Sequence, residues 1–293
     1  MDKSSDKNTS FSPKRIFDFN GKIMDFTRPR VMGILNITPD SFYDGKTVGL
    51  YDSKTVGQFV VMAGQMVQEG AYIIDIGAVS TRPGALEVSV EEEKRRLLPV
   101  LNGIRKVYPG IIISVDTYRS EIANIAAREG ADMINDISGG TFDPLMLPAI
   151  AHLRIPYIIM HIQGTPSTMQ VKPVYEDVAI EVSGFLSGQA RKLLESGHDQ
   201  IILDPGFGFG KTVEHNYILL GNLDLLVKTG FPVLAGLSRK SVINRVLKIK
   251  PEEALNGTTV LNTIALLKGA SILRVHDVKQ AIEAVRLVEM AIK

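Results

Sequence analysis

Eight short apolar segments, each followed by residues with helical periodicity, constrain this chain more than any other feature of its sequence. They are Val31–Thr38, Tyr72–Ala78, Ile111–Thr117, Met133–Ser138, Tyr157–Gln163, Gln200–Pro205, Pro232–Ser238 and Ser271–His276. All are rich in Ile and Val with little strict alternation, the pattern of parallel strands covered on both faces. Between the first two, Val56, Phe59, Val60, Ala63, Met66 and Val67 fall on one helical face, and Gly70 follows as a stop. Glu69-Gly70-Ala71, Glu129-Gly130-Ala131, Ser196-Gly197-His198 and Lys268-Gly269-Ala270 repeat one signal, a helix ending just before a strand.

Eight strand–helix units within 293 residues fit a closed (β/α)8 barrel, a TIM barrel, which takes about 250 residues. A doubly wound open sheet would carry G-x-G-x-x-G after its first strand, whereas this strand ends in Asn36-Ile-Thr-Pro-Asp40. Ahead of the barrel, Asn20-Gly21 lies between two alternating segments in 16–26, the signal of a type I′ hairpin that would serve as a small lid or plug. The expected organisation is a disordered polar tail over 1–12 and a single α/β barrel domain over 13–293.

Composition narrows the partners. Lysine and arginine together number 33 against 32 aspartates and glutamates, so no global field would hold a nucleic acid and any anion must be met locally. The absence of cysteine excludes disulfides, thiolate metal sites and thiol nucleophiles. The polar N-terminus and the lack of a spanning apolar run lead us to expect a soluble cytoplasmic protein with no membrane partner.

In such a barrel, chemistry belongs to the C-terminal ends of the strands and the loops after them. Those ends carry Asn36, Asp75, Asp116, Asn135 with Asp136, His161 with Gln163, Asp204, Ser238 with Arg239 and Lys240, and Arg274 with His276. One such aspartate alone is more often a helix cap. Eight polar ends converging on one rim require partners that a ligand can supply.

Arg274 and His276 sit two apart and so on one side of their strand, near Arg239 and Lys240, where barrels usually bind phosphate. Asp116, Asn135 and Asp204 suit a flat heterocycle with several N–H donors. Pro205 occupies the first glycine position of a near-match to a Walker A loop ending at Lys211-Thr212, which excludes a P-loop. His152, His198 and His215 lack the spacing of zinc ligands and read as surface or supporting residues.

Further motifs occur in order along the chain. They are Asn36-Ile-Thr-Pro-Asp-Ser-Phe42 with Asp44-Gly45, Ser80-Thr-Arg-Pro-Gly84, Ser114-Val-Asp-Thr117, Ile134-Asn-Asp136, Met160-His161 with Gln163-Gly164, Asp204-Pro-Gly-Phe-Gly-Phe-Gly-Lys211, Ser238-Arg-Lys240 and Arg274-Val-His-Asp277. Together, from the hairpin to the C-terminus, they resemble the dihydropteroate synthases. The resemblance implies joining of a pterin diphosphate to p-aminobenzoate in folate biosynthesis, with Mg²⁺ as cofactor and a homodimeric assembly.

It also implies residue roles. Asp116, Asn135, Asp204 and Lys240 would hold the pterin, with Asp75 as a further contact and Met160 and Phe209 lining the pocket. Asn36, through Mg²⁺, and Arg274 and His276 would bind diphosphate. Phe42, Thr81, Arg82 and Pro83, with Asp40, would close over p-aminobenzoate, whose carboxylate would meet Ser238 and the helix N-terminus after it. Catalytic weight would fall on Asp40, Arg82, Lys240, Arg274 and His276.

The p-aminobenzoate site would be of the kind for which sulfonamides compete. The chain departs from the family pattern at Ala78-Val79, where Gly-Glu is usual, and at Lys46, where a second glycine often follows Asp-Gly. Two other functions share part of the pattern. A pterin-dependent methyltransferase has no use for the diphosphate-binding groups, and a non-catalytic pterin-binding paralogue would lose the p-aminobenzoate loops first.

Overall fold

The computed structural model describes residues 13–19, 21–38, 53–80 and 88–292. The expected tail over 1–12 and the site residues Asp40, Phe42, Thr81, Arg82 and Pro83 lie outside the described residues.

Two antiparallel strands come first, β1 (Ile16–Phe19) and β2 (Lys22–Asp25), paired so that Phe19 faces Lys22 across a two-residue turn whose Gly21 has φ +87°. Eight parallel strands follow: β3 (Arg30–Asn36), β4 (Ile73–Gly77), β5 (Ile112–Asp116), β6 (Met133–Asp136), β7 (Tyr157–Met160), β8 (Ile201–Asp204), β9 (Leu234–Ala235) and β10 (Ile272–Val275). Their order is β8-β7-β6-β5-β4-β3-β10-β9, and a parallel bridge between Leu203 and Val233 joins the two ends. The sheet is therefore a closed barrel.

The helices α1 (Ser53–Glu69), α2 (Val90–Val107), α3 (Ser120–Arg128), α4 (Met146–Leu153) and α5 (Val178–Glu195) each follow one strand. After β8 come α6 (Val213–Gly221) and the short α7 (Asp224–Val227); after β9, α8 (Ser241–Leu247) and α9 (Leu255–Leu267); after β10, α10 (Val278–Ala291). Two units thus carry a second helix that the repeat pattern did not announce. The repeated helix-end signal has a common geometry: Gly70, Gly130, Gly197 and Gly269 all have φ between +82° and +105°, a region that a side chain would strain.

The strands are shorter than the apolar runs suggest. The run Tyr157–Gln163 yields a ladder only to Met160, and Pro232–Ser238 only Leu234–Ala235. Apolar residues continue past the ladder because the chain stays buried as it turns off the barrel, so hydrophobicity outlasts strand pairing.

Alternation along each strand separates two cores. Leu35, Ile74, Ile76, Ile113, Val115 and Ile159, with their counterparts on other strands, pack outward against the helices. The opposite set begins inside the barrel with one apolar residue from every strand: Met32, Ile73, Ile112, Met133, Ile158, Ile202, Leu234 and Ile272.

Phe17, Phe19, Met24 and Phe26 from the hairpin complete this inner layer, and the rings of Phe17 and Phe26 meet edge to face at 5.0 Å. Lys22 fixes the hairpin through Asp132 (3.1 Å) and the Ile111 carbonyl (3.2 Å). The hairpin is a plug at the N-terminal end of the barrel, on the side away from the polar rim, and not a lid. Among the described residues no helix is long and apolar enough to cross a membrane.

Candidate active site

Two residues further along each strand, the inward positions change character. Above the apolar layer stand Ile34, Asp75, Ser114, Asn135, Met160, Asp204 and Arg274, and beyond them Asn36, Asp116, Ser238 and His276. Apart from Asp75 and Ser114, these residues line a cavity of about 690 Å³ at the C-terminal end of the barrel. Met160 and Phe209 contribute its apolar walls, as the sequence motifs imply.

Arg274 organises the polar floor. Its Nε donates to Asp75 Oδ2 at 2.7 Å and its Nη2 to Asp116 Oδ2 at 2.8 Å, while Asn135 Nδ2 donates to the same Asp75 oxygen at 3.1 Å. Asn135 therefore turns its amide oxygen, rather than its nitrogen, toward other partners. Burial acts against the charge on Arg274, but the Asp75 and Asp116 carboxylates more than offset it and raise its pKa.

Asp116 feels the reverse balance. Burial pushes its carboxyl up to about 7 against the pull of Arg274, with Asp75, Asp136 and Glu93 adding to the rise. Two carboxylates sharing one guanidinium leave Asp116 able to accept or carry a proton near neutral pH.

Asp75 differs from its expected role. It is fully buried and absent from the cavity wall, and both its Arg274 and Asn135 bonds converge on Oδ2 while Oδ1 has no partner. It bonds Arg274 and Asn135 from beneath the cavity floor. The reason is depth: β4 continues to Gly77, so Asp75 lies a level below Asp116, which is the last residue of β5.

The opposite wall is built on the loop after β8. Asp204 Oδ1 accepts from the Gly206 N–H at 2.7 Å, which holds the carboxylate in place, and burial raises its pKa despite the nearby Lys240. Gly206 (φ +69°) is pressed so close to β7 that a Cβ would lie 1.9 Å from the His161 carbonyl oxygen.

Lys240 donates to the Phe207 carbonyl and sits 4.7 Å from the Phe209 ring centroid. Burial brings its pKa down to about 8, with Asp204 opposing and Arg274 adding to the fall. Lys240 and Asp204 thus face the cavity as a soft charge pair.

Lys211, the last residue of the loop motif, is buried behind this wall. Its Nζ lies 3.0 Å from His161 Nδ1 and donates to the carbonyls of Gly206 (3.0 Å), Phe209 (3.0 Å) and His161 (3.3 Å). It ties the end of β7 to the loop that carries Phe209. Burial lowers its pKa to about 7, and burial with the Lys211 charge takes His161 down to about 3, so His161 is a neutral acceptor.

On the basic edge, Arg239 (φ +55°) does not face a ligand as a free cation. It forms a two-pronged bond to Asp277 at 2.7 and 2.9 Å, so Asp277 pairs with Arg239, and Arg274 pairs with Asp75 and Asp116. Ser238, expected to meet a carboxylate, lines the cavity and is also hydrogen-bonded within the protein. Its buried hydroxyl is engaged with His276, at 3.0 Å from Nδ1 and 3.2 Å from the backbone N–H.

Ser241, the exposed first residue of α8, also brings a hydroxyl to the cavity wall. The helix-start position just after Lys240 was the sequence signal for it. Met169, also on the cavity wall, comes from an irregular loop and had no such signal. Asp136 faces away from the cavity: it accepts from Tyr157 Oη (2.6 Å), from Ser138 and from the Gly140 N–H, a structural arrangement. Of the remaining histidines, His152 is exposed, His198 is buried and not superficial, and His215 caps α6 with Thr212.

A rim of this composition has known counterparts. The model of the pterin binding enzyme family matches residues 32–276, and the dihydropteroate synthase of Escherichia coli K12 is 45% identical over 271 residues, 92% of this chain and 94% of that one. The chain belongs to the dihydropteroate synthase family of pterin-binding enzymes.

Solved dihydropteroate synthases share its fold. That of Xanthomonas albilineans with 4-aminobenzoic acid superposes with a TM-score of 0.86 at 40% identity, covering 96% of this chain and 98% of that one. The same enzyme in complex with 7,8-dihydropteroate gives 0.83 at 38% identity over 94% and 98%. Family membership makes the chain a transferase, against a non-catalytic paralogue.

Proposed function

We propose that this chain condenses 6-hydroxymethyl-7,8-dihydropterin diphosphate with p-aminobenzoate, yielding 7,8-dihydropteroate and diphosphate. The observation that carries the reading is the division of one cavity into an acceptor wall (Asp116, Asn135, Asp204) and a donor edge (Arg274, His276), with Lys240 between them. A pterin presents N–H donors along its aminopyrimidinone edge, which suits the first, and a leaving diphosphate suits the second.

In this reading Asp204 and the Asn135 amide oxygen accept from the ring, and Lys240 donates to its carbonyl or N5. The arylamine nitrogen is neutral near pH 7, so it attacks the pterin methylene without a strong base. The new C–N bond forms as the C–O bond to diphosphate breaks, and the amine then loses its extra proton to water. Arg274 and His276 hold the leaving anion, with donors aimed at the oxygens on which charge develops.

The role in p-aminobenzoate binding passes from Ser238 to Ser241 and the backbone N–H groups opening α8, where a carboxylate is favoured. Asp40, Phe42, Thr81, Arg82 and Pro83 keep their proposed places around this substrate, on the family motifs alone.

Among the described residues no three acidic or histidine side chains gather as a metal cage. Mg²⁺ commonly needs only one or two protein oxygens when substrate phosphates complete its shell, and the Asn36 amide at the cavity edge fits that donor set. Asn36 would hold the ion against the diphosphate, where it supplies positive charge to the leaving group.

The reading also takes the protein as a cytoplasmic homodimer with small-molecule partners and no nucleic acid. Val260, Ile264 and Leu267 of α9 and Leu287 of α10 are exposed apolar residues on neighbouring helices, suited to a second copy. Sedimentation velocity checks this, and a monomer would refute it. The function itself is tested by following dihydropteroate and diphosphate together from the two substrates, with and without Mg²⁺. Pterin binding without diphosphate release would sink the proposal.

A further inference from the structure

Lys211 is a buried titratable group to which the condensation assigns no task. Its Nζ reaches His161 Nδ1 and three carbonyl oxygens, those of His161, Gly206 and Phe209. Carbonyl oxygens only accept, so Nζ donates to each of them. His161 follows the last residue of β7, whereas Gly206 and Phe209 belong to the loop after β8. The lysine therefore joins the two segments beyond their last ladder pair, Met160 with Asp204.

That loop is one that needs holding. Gly206, Gly208 and Gly210 have φ of +69°, +83° and +62°, in the region open mainly to glycine, and a segment with three such residues loses much conformational entropy when it is fixed. Neighbouring elements grip its far end: the Gly208 N–H donates to Asn216 Oδ1 at 2.7 Å, Gln170 Nε2 to the Gly208 carbonyl at 2.9 Å and Tyr175 Oη to the Gly210 carbonyl at 2.7 Å. On the cavity side Lys240 donates to the Phe207 carbonyl, and Lys240 is also the group that the proposed function turns toward the pterin. A loop that depended on Lys240 would loosen when that residue met its ligand. Lys211 grips the same loop from behind, through carbonyls on either side of Phe207.

We infer that Lys211 is a positioning residue for the pterin: it fixes the loop after β8 while the site is empty, so that Phe209 keeps its place on the cavity wall and Lys240 is free to leave Phe207 for the ring. This rests on the reading of the cavity as the pterin site. The ordering of the glycines is then complete before the ring arrives and takes nothing from its affinity.

Lys211→Met keeps the length of the side chain and removes its donors. In the folded variant, checked by circular dichroism, Kd for 6-hydroxymethyl-7,8-dihydropterin and KM for its diphosphate should rise on the order of tenfold, the equivalent of ~1.4 kcal/mol, with kcat at saturation retained. Affinity for inorganic diphosphate with Mg²⁺ should not change, because Arg274 and His276 stand at the end of β10. Hydrogen exchange read by NMR reports the loop itself, since the amides of Gly206, Gly208 and Phe209 donate to Asp204, Asn216 and the Gly206 carbonyl. In the wild type they should exchange slowly with and without the pterin, and in Lys211→Met slowly only with it. Fast exchange in ligand-free wild-type protein overturns the inference even if the variant does not fold. An unchanged pterin Kd in folded Lys211→Met overturns it too, as does an equal loss of pterin and diphosphate affinity, the mark of a general loss of structure. Slow exchange in a wild-type protein that binds no pterin refutes the reading of the cavity and leaves the loop geometry standing.

Discussion

Replacing Arg274 with alanine should damage stability and catalysis together, and a second substitution should separate them. Arg274 is the cation between Asp75, which is fully buried, and Asp116, bonded to them at 2.7 and 2.8 Å. Removing it leaves two adjacent carboxylates uncompensated, which costs roughly 3–5 kcal/mol. For a barrel of this size that corresponds to a fall in Tm of about 10 °C.

The pH dependence has a definite sign. Asp116 already has its folded pKa raised to about 7 with Arg274 present, so the native state holds a proton that the unfolded chain releases near 4. Stability attributable to this group falls as pH rises from about 4 through 7, and the loss deepens without Arg274. The variant should therefore lie closest to wild type at mildly acid pH.

Adding Asp75→Asn to Arg274→Ala removes the deeper charge while its amide oxygen still accepts from Asn135. Most of the lost Tm should return while turnover stays low. Differential scanning calorimetry beside a diphosphate-release assay checks both halves. An Arg274→Ala protein with unchanged Tm would refute the ion-pair argument, and recovery of turnover in the double variant would refute the catalytic one.

Asp204→Asn should weaken pterin binding by about 2 kcal/mol, the worth of a charge-assisted hydrogen bond, and calorimetry showing an unaltered Kd would remove Asp204 from the ring site. With its pKa brought down to about 8, Lys240 loses its charge as pH rises through that value; kcat/KM for the pterin should fall there, and Lys240→Arg should abolish that limb of the pH profile. Phe19→Ala opens the plug at a site remote from the cavity: chemical denaturation should register a loss of roughly 3–5 kcal/mol, with normal kcat in the protein that remains folded.

The fold was legible because its cause is local. Parallel strands buried on both faces must be apolar throughout, and eight such runs stand out along the chain. The plug was legible as a hairpin, but its place was not, since Phe17 and Phe19 find their partners in residues as distant as Ile272. The rim was legible as a set of polar types, whereas individual roles depended on distances that no spacing encodes. Asp75 and Asp116 look alike in sequence, yet only one reaches the cavity. Ser238 and Ser241 flank the same basic pair, and the first is bonded to His276. Asn135 and Asp136 are neighbours, and strand alternation sends them to opposite sides of the barrel wall.

Register explains why so scattered a set acts as one site. Asn36 pairs with Gly77, Gly77 with Asp116, and Asp116 with Asn135, so these residues of β3 to β6 form a single row across the barrel wall. Gly77 contributes no side chain, and a Cβ there would come within 3.6 Å of both Asn36 Oδ1 and the Asp116 Cβ. The proposed metal-side amide and the proposed pterin-side carboxylate are thereby neighbours across a gap. Arg274 pairs in register with Met32, and Met32 with Ile73, so β10 is staggered against this row. Its guanidinium meets Asp75 beneath the cavity, and a charged side chain buried there needs a carboxylate beside it. Asp75 supplies it, which is why an acid absent from the cavity wall stands beneath those that line it.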